Sequence, residues 1–165
     1  MSLLRIYVHA VWSVKYRDAV LTKAMRPTLI DSMHRLLVSH GHTPVISNYE
    51  PDHVHCLFKY AADKQTLSDL MQAVKGGASQ TLNEHFFTSD KPFRWQKGYG
   101  AFSVCPSHVQ GKAQYVRDQE MIHAHRRWEQ EFADLLDEHP PCDLDEDAET
   151  EGERAVRYFE GLVER

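Results

Sequence analysis

Pro51-Asp52-His53-Val54-His55-Cys56-Leu57-Phe58-Lys59-Tyr60 is the stretch that decides the fold. Pro-Asp is a turn signal, and the eight residues after it read as a strand. Side chains alternate across a strand, so Val54, Cys56 and Phe58 form a core face and His53 and His55 emerge together on the other. A run from about His42 to Tyr49 precedes the turn. So short a link between two strands implies an antiparallel hairpin.

Outward from this hairpin, other elements follow from periodicity. Leu3 to Val14 alternates, with Leu4, Ile6, Val8, Ala10, Trp12 and Val14 on one face, which predicts a long first strand. Met25, Leu29, Met33, Leu36 and Leu37 recur at helical spacing between about Thr22 and His40, with Gly41 as the stop. Thr66-Leu67-Ser68-Asp69 resembles a capping box and opens a second helix, weakened by Gly76-Gly77. Residues 86–93 read as a loop and Trp95–Val104 as a fourth strand. A third helix is predicted from Pro106-Ser107 to His125 and a fourth over about Trp128–Glu138. Pro140-Pro141 breaks the chain, and Ala155–Val163 is a short final helix. The order β-α-β-β-α-β predicts an α+β sandwich of the ferredoxin-like type with a central antiparallel sheet. Two helices cover one face. The third lies toward the other, where His53 and His55 point.

Composition fits one globular domain. The chain has 165 residues, 42% hydrophobic and 26% charged. No apolar stretch reaches membrane-spanning length, and the first residues lack the pattern of a signal peptide. Three widely spaced cysteines, Cys56, Cys105 and Cys142, form neither a zinc pattern nor a disulfide framework, as expected in a reducing cytoplasm. The net charge of −5 conceals a split. Residues 134–165 carry 12 acidic and 3 basic side chains, and residues 1–133 carry 16 basic and 12 acidic. The body is mildly basic, and local field rather than total charge governs attraction to a polyanion.

The chemistry rests on four residues. His53 and His55 are imidazoles, good ligands for a divalent ion. Alone, a His-x-His pair is more often a pair of surface histidines on a half-exposed strand. Tyr115 and Gln119 are four apart, which on a helix places a phenol beside a carbonyl oxygen. Alone, each reads as an ordinary packed or solvated residue. Together they offer three ligands and a hydroxyl nucleophile, a set suited to attack on a phosphodiester. Mn²⁺ or Mg²⁺ fits so partial a shell, with imidazoles leaning toward Mn²⁺.

Three stretches carry a family resemblance: Tyr7-Val8-His9-Ala10-Val11-Trp12-Ser13-Val14-Lys15-Tyr16-Arg17, Pro51-Asp52-His53-Val54-His55-Cys56-Leu57 and Trp95-Gln96-Lys97-Gly98-Tyr99-Gly100-Ala101-Phe102-Ser103-Val104. So does Gln114-Tyr115-Val116-Arg117-Asp118-Gln119-Glu120, followed by His123 and by Glu131-Phe132. In unbroken order over about residues 3–135, they resemble the single-tyrosine HUH transposases of small bacterial insertion sequences (TnpA-type, IS200-like). The resemblance implies a homodimer and metal-dependent cleavage of single-stranded DNA near imperfect hairpins. It matches His53 and His55 to the HUH pair and Gln119 to the third metal ligand. Tyr115 matches the tyrosine that attacks the scissile phosphate, giving a 5′-phosphotyrosine and a free 3′-hydroxyl. In this family the tyrosine helix can serve the partner subunit's site. On this reading residues 1–139 form the HUH domain and residues 140–165 an acidic extension, which the resemblance does not cover and which could compete with DNA for basic surface.

Candidate DNA contacts are Lys15, Arg17, Lys75, Arg94, Lys97, Lys112 and Arg117, with Trp95 and Tyr99 able to stack bases. His9 is placed beside the metal site if the first and third strands are neighbours. Two other functions are weighed. One is a transposase-derived hairpin-binding protein without strand transfer. The other is a small-molecule phosphodiesterase with paired histidines, whose histidine-triad form would require His where the chain has Leu57.

Overall fold

The computed structural model describes residues 3–124 and 128–139. The final helix expected over 155–163 and the acidic segment lie outside the described residues. The chain divides into two units, residues 1–120 and 121–165.

In the first unit, β1 (Ile6–Ser13), β2 (Thr43–Glu50), β3 (His53–Tyr60) and β4 (Gly100–Val104) form one antiparallel sheet in the order β2-β3-β1-β4. This is the ferredoxin-like arrangement predicted from the element order. The register pairs Val11 with His55 and Ser13 with His53. On the other side of β3, Asn48 pairs with His55 and Glu50 with His53. Directly paired residues share a face. His9, Val11, Ser13, Asn48, Glu50, His53, His55 and Phe102 therefore look one way, and Val8, Ala10, Trp12, Val54, Cys56 and Phe58 the other.

Helices α1 (Arg26–Ser39) and α2 (Leu67–His85) cover the second face. Leu29, Met33 and Leu37 of α1 meet Leu70, Met71, Val74, Ala78 and Leu82 of α2 in the core with the apolar strand residues. Thr66 caps α2 as expected: its hydroxyl accepts from the Asp69 amide at 3.1 Å. Pro27 in the first turn fixes where α1 begins, so a separate 3₁₀ turn, Lys23–Met25, precedes it.

Three elements differ from expectation. The first strand starts at Ile6, because Ile6–Tyr60 is the last pair available in the register, and Leu3 and Leu4 lie exposed. The fourth strand is shortened to Gly100–Val104: Gly98, at φ +79°, turns the chain and leaves Trp95 only a single bridge to Val14. The third helix is broken into a 3₁₀ turn Pro106–His108, α3 (Val109–Arg117) and α4 (Gln119–His123). The cause of the break lies in β2. Asn48 Nδ2 donates to the carbonyls of Val116 at 2.9 Å and Arg117 at 3.2 Å, so the end of α3 is capped by the sheet. The helix α3 packs on β2 and β3.

In the second unit, α5 (Trp128–Asp137) stacks Trp128 on Phe132, ring centres 5.5 Å apart, and buries both with Leu135. His123 Nε2 and a Glu131 carboxylate oxygen of this unit lie 2.7 Å apart. Among the described residues, no helix is long and apolar enough to cross a membrane.

Candidate active site

The face of the sheet opposite α1 and α2 is buried too. His53 and His55 are 1% and 0% exposed, which is not the half-solvated strand face that an isolated His-x-His pair suggests. Their rings stand 5.1 Å apart, inclined at 72°. Buried imidazoles need partners, and each of these has one at Nδ1. The Asp52 carboxylate lies 2.6 Å from His53 Nδ1. His9 Nε2 lies 3.0 Å from His55 Nδ1.

The Asp52 contact sets which ring nitrogen of His53 donates. Burial alone would raise the Asp52 pKa, but the hydrogen bond to His53 and the charges of His53 and Arg17 outweigh it and bring it down to about 2. An ionised carboxylate only accepts, so His53 Nδ1–H is the donor in this contact, and Nε2 is the ring nitrogen that a neutral His53 would turn to a cation. A metal-binding histidine characteristically donates its other ring N–H to such a partner. For His55 to present Nε2 in the same way, its Nδ1–H donates to His9.

Tyr115 arrives on α3. Its ring centre is 6.0 Å from that of His55 and 6.1 Å from that of His9, edge-on to both. Within one chain the Tyr115 ring thus lies beside His55 and His9. Lys112, one turn earlier, holds its ammonium 4.9 Å from the Tyr115 ring centre. Gln119 is fully buried at the start of α4, and its Nε2 donates to the Tyr115 carbonyl at 3.4 Å. This amide orientation turns Oε1, the ligating atom of the expected set, away from that bond. Tyr115 and Gln119 stand on separate helices on either side of Asp118, and the Gln119 side chain reaches back to the Tyr115 backbone carbonyl. The donors present, two imidazoles with Nδ1 occupied and one amide oxygen, fit a borderline divalent ion such as Mn²⁺ or a harder Mg²⁺.

The expected DNA contacts fall into two groups. Arg17 is turned inward, with its guanidinium bound to Asp52 Oδ2, the Nε contact being 3.0 Å. Lys75 is half-buried and donates to the carbonyls of Gln96, at 2.9 Å, and Gly98, and burial brings its pKa down to about 8. Trp95 packs edge-on against Trp12 and Phe93, and its indole donates to the Lys75 carbonyl at 2.9 Å. Tyr99 also packs on the core. Arg94, Lys97 and Arg117 lie exposed, and Lys15 and Lys112 partly so.

Sequence reasoning did not single out Asp52, whose signal was its position directly before His53. It did not find Asn48 at all. Asn48 Oδ1 accepts from the Arg26 guanidinium, which also lies 4.9 Å from the Tyr49 ring centre. The chain Arg26–Asn48–α3 therefore holds the tyrosine helix over the histidines.

The comparisons agree with this architecture. Residues 2–119 match the family described as "Transposase IS200 like". A candidate transposase from Deinococcus radiodurans R1 superposes with a TM-score of 0.58 at 22% identity, over 72% of this chain and 93% of that one. A REP-associated tyrosine transposase, solved bound to a REP hairpin, gives a TM-score of 0.55 at 12% identity, over 74% of each chain. At these identities the two structures speak for the fold. No curated protein matches the chain. The family match spans most of the chain and takes in the strands, the histidine pair, Tyr115 and Gln119: this protein belongs to the IS200-like transposases.

Proposed function

We propose that the protein cleaves and rejoins single-stranded DNA at the ends of an insertion sequence, with Tyr115 as nucleophile and His53, His55 and Gln119 as the ligands of Mg²⁺ or Mn²⁺. The observation that carries this reading is the position of the Tyr115 ring 6.0 Å from His55, within one chain, on a buried face where both histidines have Nδ1 engaged.

The bound cation supplies Lewis-acid polarisation of the scissile phosphate. The chain's own residues supply the rest. The Tyr115 phenolic oxygen forms a bond to phosphorus, and the bond from phosphorus to the 3′-oxygen breaks. The phenolic proton, carried by solvent, ends on the departing 3′-hydroxyl. The 5′-phosphotyrosine retains the energy of the phosphodiester, so a later 3′-hydroxyl reverses the step and rejoins DNA without ATP. Asp52 and His9 hold the imidazoles in register, and Asn48 holds α3. The exposed Arg94, Lys97 and Arg117, with Lys15 and Lys112, supply positive charge for the DNA backbone. A hairpin-containing strand is the proposed substrate, in keeping with the hairpin bound by the REP-associated relative. A homodimer and a cytoplasmic location complete the proposal.

Incubation of the protein with a hairpin oligonucleotide carrying single-stranded flanks and Mn²⁺ tests it. The expected product is a denaturant-resistant protein–DNA band, absent in Tyr115→Phe and in EDTA. A hairpin-binding protein without strand transfer would bind the oligonucleotide and give no band with the wild-type chain. A band persisting in Tyr115→Phe would remove the nucleophile assignment.

A further inference from the structure

The turn after β1 is strained. Tyr16 and Arg17 have φ of 60° and 58°, the left-handed region, and they are the only non-glycine residues with positive φ among those described. Such backbone is unfavourable for residues with a Cβ and persists where surrounding contacts over-determine it. Those contacts are present here. Val14 N donates to Asp52 O at 2.7 Å, Lys15 N to Arg94 O at 2.9 Å and Arg17 N to Val14 O at 3.0 Å. The Arg17 side chain then grips Asp52, which holds His53.

The result of this strain is the placement of one aromatic ring. Tyr16 is 60% exposed, although both its neighbours are tied into the fold. Among the described aromatic residues it is the most exposed, while Trp95 and Tyr99 pack inward. The Lys15 ammonium lies 4.6 Å from the Tyr16 ring centre. Exposed Arg94 and Lys97 belong to the segment on which the turn rests. An exposed ring flanked by cations, one residue from the side chain that grips Asp52, suits an unpaired base with its phosphate.

Resting on the single-stranded DNA reading above, we propose that Tyr16 is a stacking platform for an unpaired base of the bound strand, with Lys15 against the adjoining phosphate. Stacking is tolerant of sequence because every base has a π-face. It discriminates against duplex, where those faces are already covered.

Oligothymidine and a blunt duplex of equal length are the probes, read by fluorescence anisotropy on the full chain. Tyr16→Ala is expected to weaken oligothymidine binding by about tenfold, as the loss of one stacked base does, and to leave duplex binding unchanged. Tyr16→Phe keeps the ring and is expected to bind both probes as the wild type does. Unaltered oligothymidine binding by Tyr16→Ala overturns the proposal. So does an equal loss on both probes, or a wild type that does not prefer the single strand. Mn²⁺ affinity, measured by calorimetry on Tyr16→Ala, is expected to be unchanged, which separates lost stacking from a displaced Arg17. The covalent band of the wild type is read separately, so a failure of strand cleavage and a failure of stacking give different results.

Discussion

His9 Nε2 lies 3.0 Å from His55 Nδ1, joining neighbouring strands on the buried face of the sheet. The two residues are not directly paired: His9 stands opposite Leu57, and His55 opposite Val11. The contact is a diagonal one, within reach of two imidazoles across adjacent strands. Its ring is further fixed by Phe102 of β4, 6.4 Å away between centres.

This relationship predicts that His9 controls the cation site without touching the cation. His9→Ala removes the ring nitrogen that His55 Nδ1 meets. A loss of about 10- to 100-fold in Mn²⁺ affinity is expected, the range typical when a ligand's outer partner is removed. His9→Gln, whose carbonyl can accept the same proton, should recover part of the loss. Calorimetric titration with Mn²⁺ checks both. Wild-type affinity in His9→Ala would show that His55 is held by its packing alone.

A second prediction concerns Asn48. Its amide donates to the last carbonyls of α3, and its oxygen accepts from Arg26. Asn48→Ala strands buried carbonyls and loosens the helix that carries Tyr115. The expected cost in stability is about 1–3 kcal/mol, the usual penalty for unsatisfied buried groups. The rate of covalent band formation should fall further than hairpin binding does. Denaturant unfolding and the adduct assay measure the two effects. Equal rates in mutant and wild type would separate α3 anchoring from catalysis.

These two positions also mark where the sequence stopped being legible. The hairpin Thr43–Tyr60, the Thr66 cap and the orientation of His53 and His55 follow from local pattern, and the structure agrees with each. The break at Asp118 does not, because its cause is a side chain roughly 70 residues earlier that meets α3 only after the sheet has formed. From sequence, His9 can be placed only conditionally, since periodicity gives a strand's faces and not its neighbours. Arg17, Lys75 and Trp95 read as DNA-facing because charge and aromaticity are visible in a sequence, whereas the carboxylate, carbonyls and rings that draw them inward are not.

The two adjacent glycines of α2 should behave oppositely. A Cβ built at Gly76 meets nothing within 4 Å, so Gly76→Ala is expected to stabilise by about 0.5–1 kcal/mol through helix propensity. A Cβ at Gly77 would lie 2.7 Å from Leu36 Cδ1 of α1. Leu36 is only partly buried, so its side chain can shift, but the displacement opposes the gain in propensity. Gly77→Ala should therefore be the less stable of the two variants in urea unfolding. Equal stabilisation would mean that Leu36 yields without cost.

The last prediction is a pH dependence set by two histidines that take no part in the candidate site. His42 is 3% exposed, stacks on Tyr60 with ring centres 5.2 Å apart, and accepts from the Ala61 amide through Nδ1 at 3.0 Å. Burial lowers its pKa, the nearby His40 lowers it further, and Asp63 opposes the shift. His34, which bonds the Ser47 hydroxyl at 3.1 Å, is lowered in the same direction, burial outweighing Asp31. Both histidines fold in the neutral form and take up protons more readily when unfolded. The unfolded chain therefore binds more protons in the window below the ordinary histidine pKa of about 6.5, and stability must rise with pH across it. Read downward, stability contributed by the neutral rings is complete above that window and is lost as pH falls through it toward the lowered folded values. His42→Phe keeps the stacking on Tyr60, gives up the Ala61 hydrogen bond and removes one titrating group. It should be less stable than the wild type at pH 8 yet lose less on going to pH 5.5. Urea midpoints at the two pH values measure the difference, and an identical loss in both proteins would place the pH sensitivity elsewhere.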